Sequence, residues 1–162
     1  MMDSMIAVSR LDGCLYGLST ICGGISDYSA GAMLLDSVDD QGSIHSAIVD
    51  YFPAEANFGE FSFSCCEKGL GDLERDIQRY LLNNILGENV FDNTDRLIDR
   101  RKYISFRIMD MIDLVIGDCQ NPKVFKINAK INNSDSRCVF FAIVLNGRIL
   151  VLQFLHNQPN NG

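Results

Sequence analysis

The chain has 162 residues, of which 47% are hydrophobic and 22% charged, and its formal net charge is −7. This length suits one domain of about 100–200 residues, and the composition is typical of a globular protein rather than a disordered or fibrous one. No apolar run of about 18 residues predicts a membrane span. The first residues lack the basic start and apolar stretch of a signal peptide, so we expect a cytoplasmic protein.

The first predicted elements are helical. Residues 11–35 are rich in glycine, which disfavours a helix interior by about 1 kcal/mol relative to alanine. We therefore predict a short or broken helix with its break at Gly23-Gly24. Ser26-Asp27 is a candidate cap for a second short helix that runs to about Asp36.

Two strands are predicted next. Residues 43–52 place His45, Ala47, Val49 and Tyr51 on one side of an alternating pattern, which is typical of a strand. Pro53 ends this segment, and residues 60–64 alternate again. The two segments together predict a β-hairpin.

Two longer helices follow in the pattern. Leu73, Ile77, Tyr80, Leu81 and Ile85 recur at helical spacing, which predicts a helix with Asp72 as its N-cap and Gly87 as its stop. Residues 94–118 fit a helix that Thr94 would cap, although Ile104, Phe106 and Ile108 also alternate as in a strand. Length and the absence of a turn signal favour the helix.

The last third predicts three strands. Residues 125–131 alternate, Cys138 to Leu145 form a continuous apolar run, and Asn146-Gly147 favours the tight turn into a strand from Arg148 to Leu155. We predict an α+β domain over residues 1–156, with an antiparallel sheet that includes this C-terminal meander and helices packed on one side. Its other face needs a second cover, from the front half of the chain or from a partner. Residues 157–162 read as a flexible polar tail.

No residue pattern indicates a metal, a cofactor or catalysis. Two histidines, His45 and His156, stand alone, and no Cys-x-x-Cys pair or phosphate-binding glycine loop occurs. Six cysteines are expected to be reduced, because no secretion signal precedes them. They are Cys14, Cys22, Cys65, Cys66, Cys119 and Cys138. We expect a binding protein rather than an enzyme.

The charge is unevenly distributed and predicts a basic protein partner. Residues 1–67 contain ten acids and one base, whereas residues 68–162 contain eleven acids and thirteen bases. The acidic front half argues against nucleic acid and anionic membranes, since phosphate contacts need clustered Lys and Arg. The predicted binding residues combine acids with aromatic anchors. They are Asp36, Asp39, Asp40, Asp50, Tyr51, Phe52, Glu55, Phe58 and Glu60.

In small size and concentrated acidity, the chain resembles the immunity proteins of bacterial contact-dependent growth inhibition and related polymorphic toxin systems. The resemblance lies in general layout and not in a motif. It implies a cytoplasmic inhibitor that neutralises a basic toxin domain, commonly a nuclease, by covering its active site with an acidic surface.

Two alternatives stay open at this point. The first is a type III secretion-type chaperone, which would dimerise through a long helix over residues 94–118, and the sequence does not fix the oligomeric state. The second is a cysteine amidase or peptidase. Cys14 near a helix start and His45 on a later strand loosely resemble the papain-like layout, in which the histidine is the base for the cysteine.

Overall fold

The computed structural model describes residues 4–23, 27–36, 44–48, 58–66, 70–80, 95–131 and 137–157. The helices are α1 (Ser4–Gly23), α2 (44–48), α3 (Leu70–Tyr80) and α4 (Asp95–Ile116). The strands are β1 (Asp27–Asp36), β2 (Phe58–Cys66), β3 (Lys123–Ile131), β4 (Arg137–Leu145) and β5 (Arg148–Asn157).

The five strands form one antiparallel sheet in the order β1-β5-β4-β3-β2. This confirms the α+β class and the C-terminal meander of β3, β4 and β5. Gly147 has a φ of 75° in the tight turn between β4 and β5, a conformation that glycine adopts without steric cost. β5 includes Asn157, which the sequence pattern assigned to the tail, and residues 158–162 lie outside the described part of the chain.

Three helices pack on one face of the sheet. Leu11 and Leu15 of α1, Ile77 of α3 and Ile112 of α4 join Phe141 and other residues of this face in one buried cluster. Helix α4 contacts both α1 and α3, and α1 also lies against β1. Helix α4 is therefore the middle helix of the layer.

Helix α2 packs on the opposite face. Its Ile44 and Ile48 are fully buried against a second apolar cluster, which includes Ile127, Phe140 and Val151. Alternate residues of β4 and β5 thus enter different clusters, as the two-residue side-chain period of a strand requires. The front half of the chain supplies part of the second cover.

Helices α1 and α4 run antiparallel. The β4–β5 turn lies near the start of α1, where Arg148 donates to Ser4 Oγ at 3.1 Å. It also lies near the end of α4, where Cys119 Sγ is 3.9 Å from Asn146 Oδ1. The start of α1 and the end of α4 therefore meet at one end of the sheet.

The first predicted helices need correction. Helix α1 ends at Gly23, where the sequence predicts the break, but it is longer than expected, since it begins at Ser4 and contains Gly13 and Gly17. Residues 27–36 are strand β1 and not a second helix. Pairing with β5 and burial of Ala30 and Ala32 under the helix layer outweigh the local capping signal at Ser26-Asp27.

The predicted hairpin is also wrong. Residues 44–48 are helical, so Ile44 and Ile48, at i and i+4, lie on one side of α2. The second strand of the predicted pair is present as β2, which pairs with β3. Residues 49–57 lie outside the described part of the chain.

The two later helices are confirmed, α3 with an earlier start and α4 with the predicted start at Asp95. Helix α3 begins at Leu70, so Asp72 lies in its first turn, where it forms an ion pair with Arg75 instead of capping. Helix α4 spans 95–116 and settles the choice between helix and strand. The predicted Thr94 cap and Gly87 stop lie outside the described residues.

Candidate protein-binding surface

The predicted binding residues do not all come together. Asp36 is exposed at the last position of β1 and lies opposite Arg148 of β5 in the strand register. Phe58 and Glu60 lie at the start of β2, the opposite edge strand, and at the other end of the sheet. Four strand spacings of about 4.8 Å separate the two edges by about 19 Å. Asp39, Asp40, Asp50, Tyr51, Phe52 and Glu55 lie outside the described residues, so their part in binding stays a prediction.

A different surface is well defined on the side of α4 that faces away from the sheet. Three large apolar side chains are exposed there: Tyr103 (64%), Phe106 (56%) and Leu114 (56%). We use the name α4 outer face for Tyr103, Phe106, Arg107, Asp110, Asp113 and Leu114. These residues recur every three or four positions, so they lie on one side of the helix.

The inward side of α4 fixes this orientation. Ile108, Ile112 and Val115 are buried in the cluster between the helices and the sheet. Ser105 is also fully buried, and its hydroxyl donates to the Lys102 carbonyl at 2.9 Å, which satisfies the polar group. Since this side is anchored, the opposite side has to face away from the sheet.

Carboxylates crowd the α3 side of the α4 outer face. Burial raises the pKa of the Asp113 carboxyl above its ordinary value, and the neighbouring Asp110 and Glu74 carboxylates raise it further. Glu74 comes from α3, so the crowding joins two helices. Arg107 Nη1 lies 3.1 Å from Asp110 Oδ2 and offsets part of the negative charge.

Sequence reasoning missed this surface because it summed charges over a whole segment. Residues 68–162 have a small positive net charge, yet their charges are sorted by element. Lys123, Lys126 and Lys130 lie on β3, and Lys126 Nζ is 3.9 Å from Asp76 Oδ2 of α3. A helical projection of residues 102–116 shows Phe106, Asp110 and Asp113 on one side and would have found the surface.

The structure does not bring Cys14 and His45 together. Cys14 lies on α1 in the helix layer, whereas His45 lies on α2 against the opposite face of the sheet. Burial raises the pKa of the half-buried Cys14 thiol, and the Arg107 charge lowers it in part. A histidine on the far side of the sheet cannot serve as the base for this thiol, which removes the dyad of the amidase alternative.

Within the described residues, no three His, Cys, Asp or Glu side chains come together as ligands for a metal ion. None of the described helices combines the length and the apolar character needed to cross a bilayer.

Comparison with known proteins gives no relative: no family model, no curated protein and no solved structure matches the chain.

Proposed function

We propose that this protein is an immunity protein: a cytoplasmic inhibitor that binds a basic toxin domain with nuclease activity and covers its active site with an acidic surface. The observation that carries the proposal is the α4 outer face, where exposed Tyr103 and Phe106 lie beside the crowded carboxylates of Asp110, Asp113 and Glu74.

The chemistry of a nuclease explains why such a surface would inhibit it. A nuclease active site carries positive charge in order to hold phosphate, so an acidic surface can occupy the same position. Carboxylates speed the encounter, and aromatic side chains supply apolar contact area that slows dissociation. Because the net charge is −7, this protein attracts a basic partner over most orientations of approach.

The test is neutralisation of a defined toxin. The probe is the C-terminal domain of the protein encoded beside this chain's gene, assayed as a nuclease and as a growth inhibitor in bacteria. We expect stoichiometric inhibition in both assays, with an association rate that falls steeply as salt rises. A domain that still cleaves nucleic acid at an equimolar amount of this protein would contradict the proposal.

A dimeric secretion-type chaperone is the second candidate, because α4 is 22 residues long and exposes apolar side chains that a second copy can cover. Native mass spectrometry at micromolar concentration separates the two candidates. A stable homodimer favours the chaperone, whereas a monomer favours the inhibitor.

A further inference from the structure

We infer that the α4 outer face is the docking site of this protein, and that its occupant is a basic amphipathic helix of the partner, with lysine or arginine beside apolar side chains. The inference rests on the proposed function, since it names the surface that would contact the toxin domain. It also differs from the sequence prediction, which placed binding in residues 36–60.

The α4 outer face has three large apolar side chains in contact with solvent. Tyr103, Phe106 and Leu114 are all more than half exposed, although each has enough apolar area to gain from burial. They extend over 11 helical positions, or about 16 Å along the axis at 1.5 Å per residue. This length matches about three turns of a second helix, which would present its own apolar side chains at the same three-to-four-residue spacing.

Charge decides the kind of helix. Asp110 and Asp113 lie between Phe106 and Leu114 along α4, and Glu74 lies beside Asp113 on α3. An acidic or neutral helix would bury these three carboxylates and add no cation to the partial offset that Arg107 provides, which is costly. A lysine or arginine placed among them would instead relieve their mutual repulsion and form charge-assisted hydrogen bonds.

Two of the exposed apolar residues of α1, Met5 and Tyr16, have a different setting. Met5 and Tyr16 lie on the same side of α1 as Asp12, at i, i+11 and i+7. Asp12 Oδ1 accepts a hydrogen bond from the Ala32 amide of β1 at 2.8 Å. This side of α1 therefore turns toward the edge of the sheet, and the Asp12 carboxylate already accepts a hydrogen bond within the fold. It serves as the control surface.

The experiment measures binding of a synthetic helical peptide of Lys and Leu, about 14 residues long, by fluorescence anisotropy of a dye on the peptide. The same peptide with Glu in place of Lys is the charge control. We expect saturable binding of the Lys peptide to the intact protein and none of the Glu peptide. Asp113→Lys should weaken binding at least about tenfold, whereas Asp27→Lys, with the same charge change at the first position of β1 and so at the opposite end of the sheet from the end of α4, should change it less than about twofold.

The apolar contribution has its own matched pair. Phe106→Ala should weaken binding of the Lys peptide at least about tenfold. Tyr16→Ala, which truncates an exposed aromatic residue of α1, should leave the affinity for the peptide within about twofold of wild type. Circular dichroism establishes that each variant keeps the fold. Equal losses for Asp113→Lys and Asp27→Lys would mean attraction by net charge alone and would overturn the inference, as would failure of the Lys peptide to bind.

The outcome separates this inference from the proposed function. If the toxin domain is neutralised equally well by wild type and by Asp113→Lys, the docking site lies elsewhere while the immunity function stands. If the Lys peptide binds as expected but no toxin domain is inhibited, the site stands and the immunity function fails.

Discussion

Asp113 is the residue whose charge costs the fold most clearly. Its carboxyl is partly desolvated and has two carboxylate neighbours, so its pKa in the folded state lies above the ordinary aspartate value of about 3.9. Because the folded pKa is raised, the stability that the protonated group contributes is fully present below its unfolded pKa and is lost as the pH rises through the folded pKa. Ionised Asp113 therefore works against the folded state at neutral pH.

The corresponding prediction concerns Asp113→Asn. This variant keeps the size of the side chain and removes the repulsion, so it should increase the free energy of unfolding at pH 7 by about 0.2–0.5 kcal/mol, the range for like-charge neighbours on helices. The difference should shrink toward zero at about pH 3, below the ordinary aspartate pKa, because a raised pKa keeps the wild-type carboxyl protonated there. Urea unfolding at both pH values measures it, and a variant that is less stable at pH 7 would contradict the assignment.

Two thiols differ in burial, and their reactivity should follow. Burial raises the pKa of Cys138 to about 12. Burial also raises the pKa of half-buried Cys14, but the positive charge of Arg107 lowers it in part. The thiolate is the reactive form of cysteine. At about pH 7.5, which is roughly one unit below the pKa of a free thiol, iodoacetamide should therefore modify Cys14 slowly and Cys138 essentially not at all. Mass spectrometry of the alkylated peptides measures both rates.

Arg107→Gln tests the cause of this difference. Removing the cation should raise the pKa of Cys14 further and slow its alkylation several-fold, while Lys102→Gln on the same helix serves as the control. Rapid modification of Cys14 that does not depend on Arg107 would reopen the question of a reactive cysteine in this chain.

At the scale of elements, α1 is tied to the edge strand β1 by one carboxylate. Asp12 Oδ1 accepts from the Ala32 amide, a group that an edge strand otherwise leaves without a partner in the sheet. A Cβ at Gly31 would lie 3.0 Å from the same oxygen, so the Asp12 carboxylate would have to shift by a few tenths of an ångström and its hydrogen bond to Ala32 would be disturbed. The hydrogen bond and the small residue form one contact.

A double-mutant cycle tests this coupling. Asp12→Ala should lower the free energy of unfolding by about 1–2 kcal/mol, because a charge-assisted hydrogen bond is lost. Gly31→Ala should cost about 1 kcal/mol in wild type and less in the Asp12→Ala background, where the crowded oxygen is absent. Asp12→Asn retains an acceptor oxygen and should lie between Asp12→Ala and wild type.

Additive losses of stability at the two positions would contradict the coupling between Asp12 and Gly31. They would mean that Gly31 matters for strand conformation rather than for its distance from Asp12.

The elements that sequence patterns predicted well are those with strong local signals. The apolar run from Cys138 to Leu145 and the Asn146-Gly147 turn specify β4 and β5 without help from the rest of the chain. By contrast, β1 depends on pairing with β5, some 120 residues away along the chain, as in Ala32 opposite Leu152. Residues 44–48 alternate in sequence, yet Ile44 and Ile48 also fit one helical side, and contact with the sheet decided between the two periods.

At the scale of the whole molecule, the candidate site was harder to predict than the fold. The charge count located most of the negative charge in the front half, but it could not show which acids share a surface. Glu74 and Asp113 are 39 positions apart in sequence and become neighbours only when α3 packs on α4. Asp36 and Glu60 are closer in sequence, yet they lie on opposite edge strands.

The sheet has an apolar cluster on each face, which predicts that both clusters unfold together. Ile48 of α2 and Ile77 of α3 are fully buried on opposite faces, so Ile48→Ala and Ile77→Ala should each lower the free energy of unfolding by about 2–5 kcal/mol. The two sites share no contact across the sheet, and their losses should add within about 0.5 kcal/mol.

Because the chain has no tryptophan, urea unfolding is best followed by far-ultraviolet circular dichroism. We expect one transition whose midpoint falls while its slope is unchanged. An unchanged midpoint for Ile48→Ala would mean that α2 does not hold the second cluster, and two separate transitions would mean that the faces do not fold as a unit.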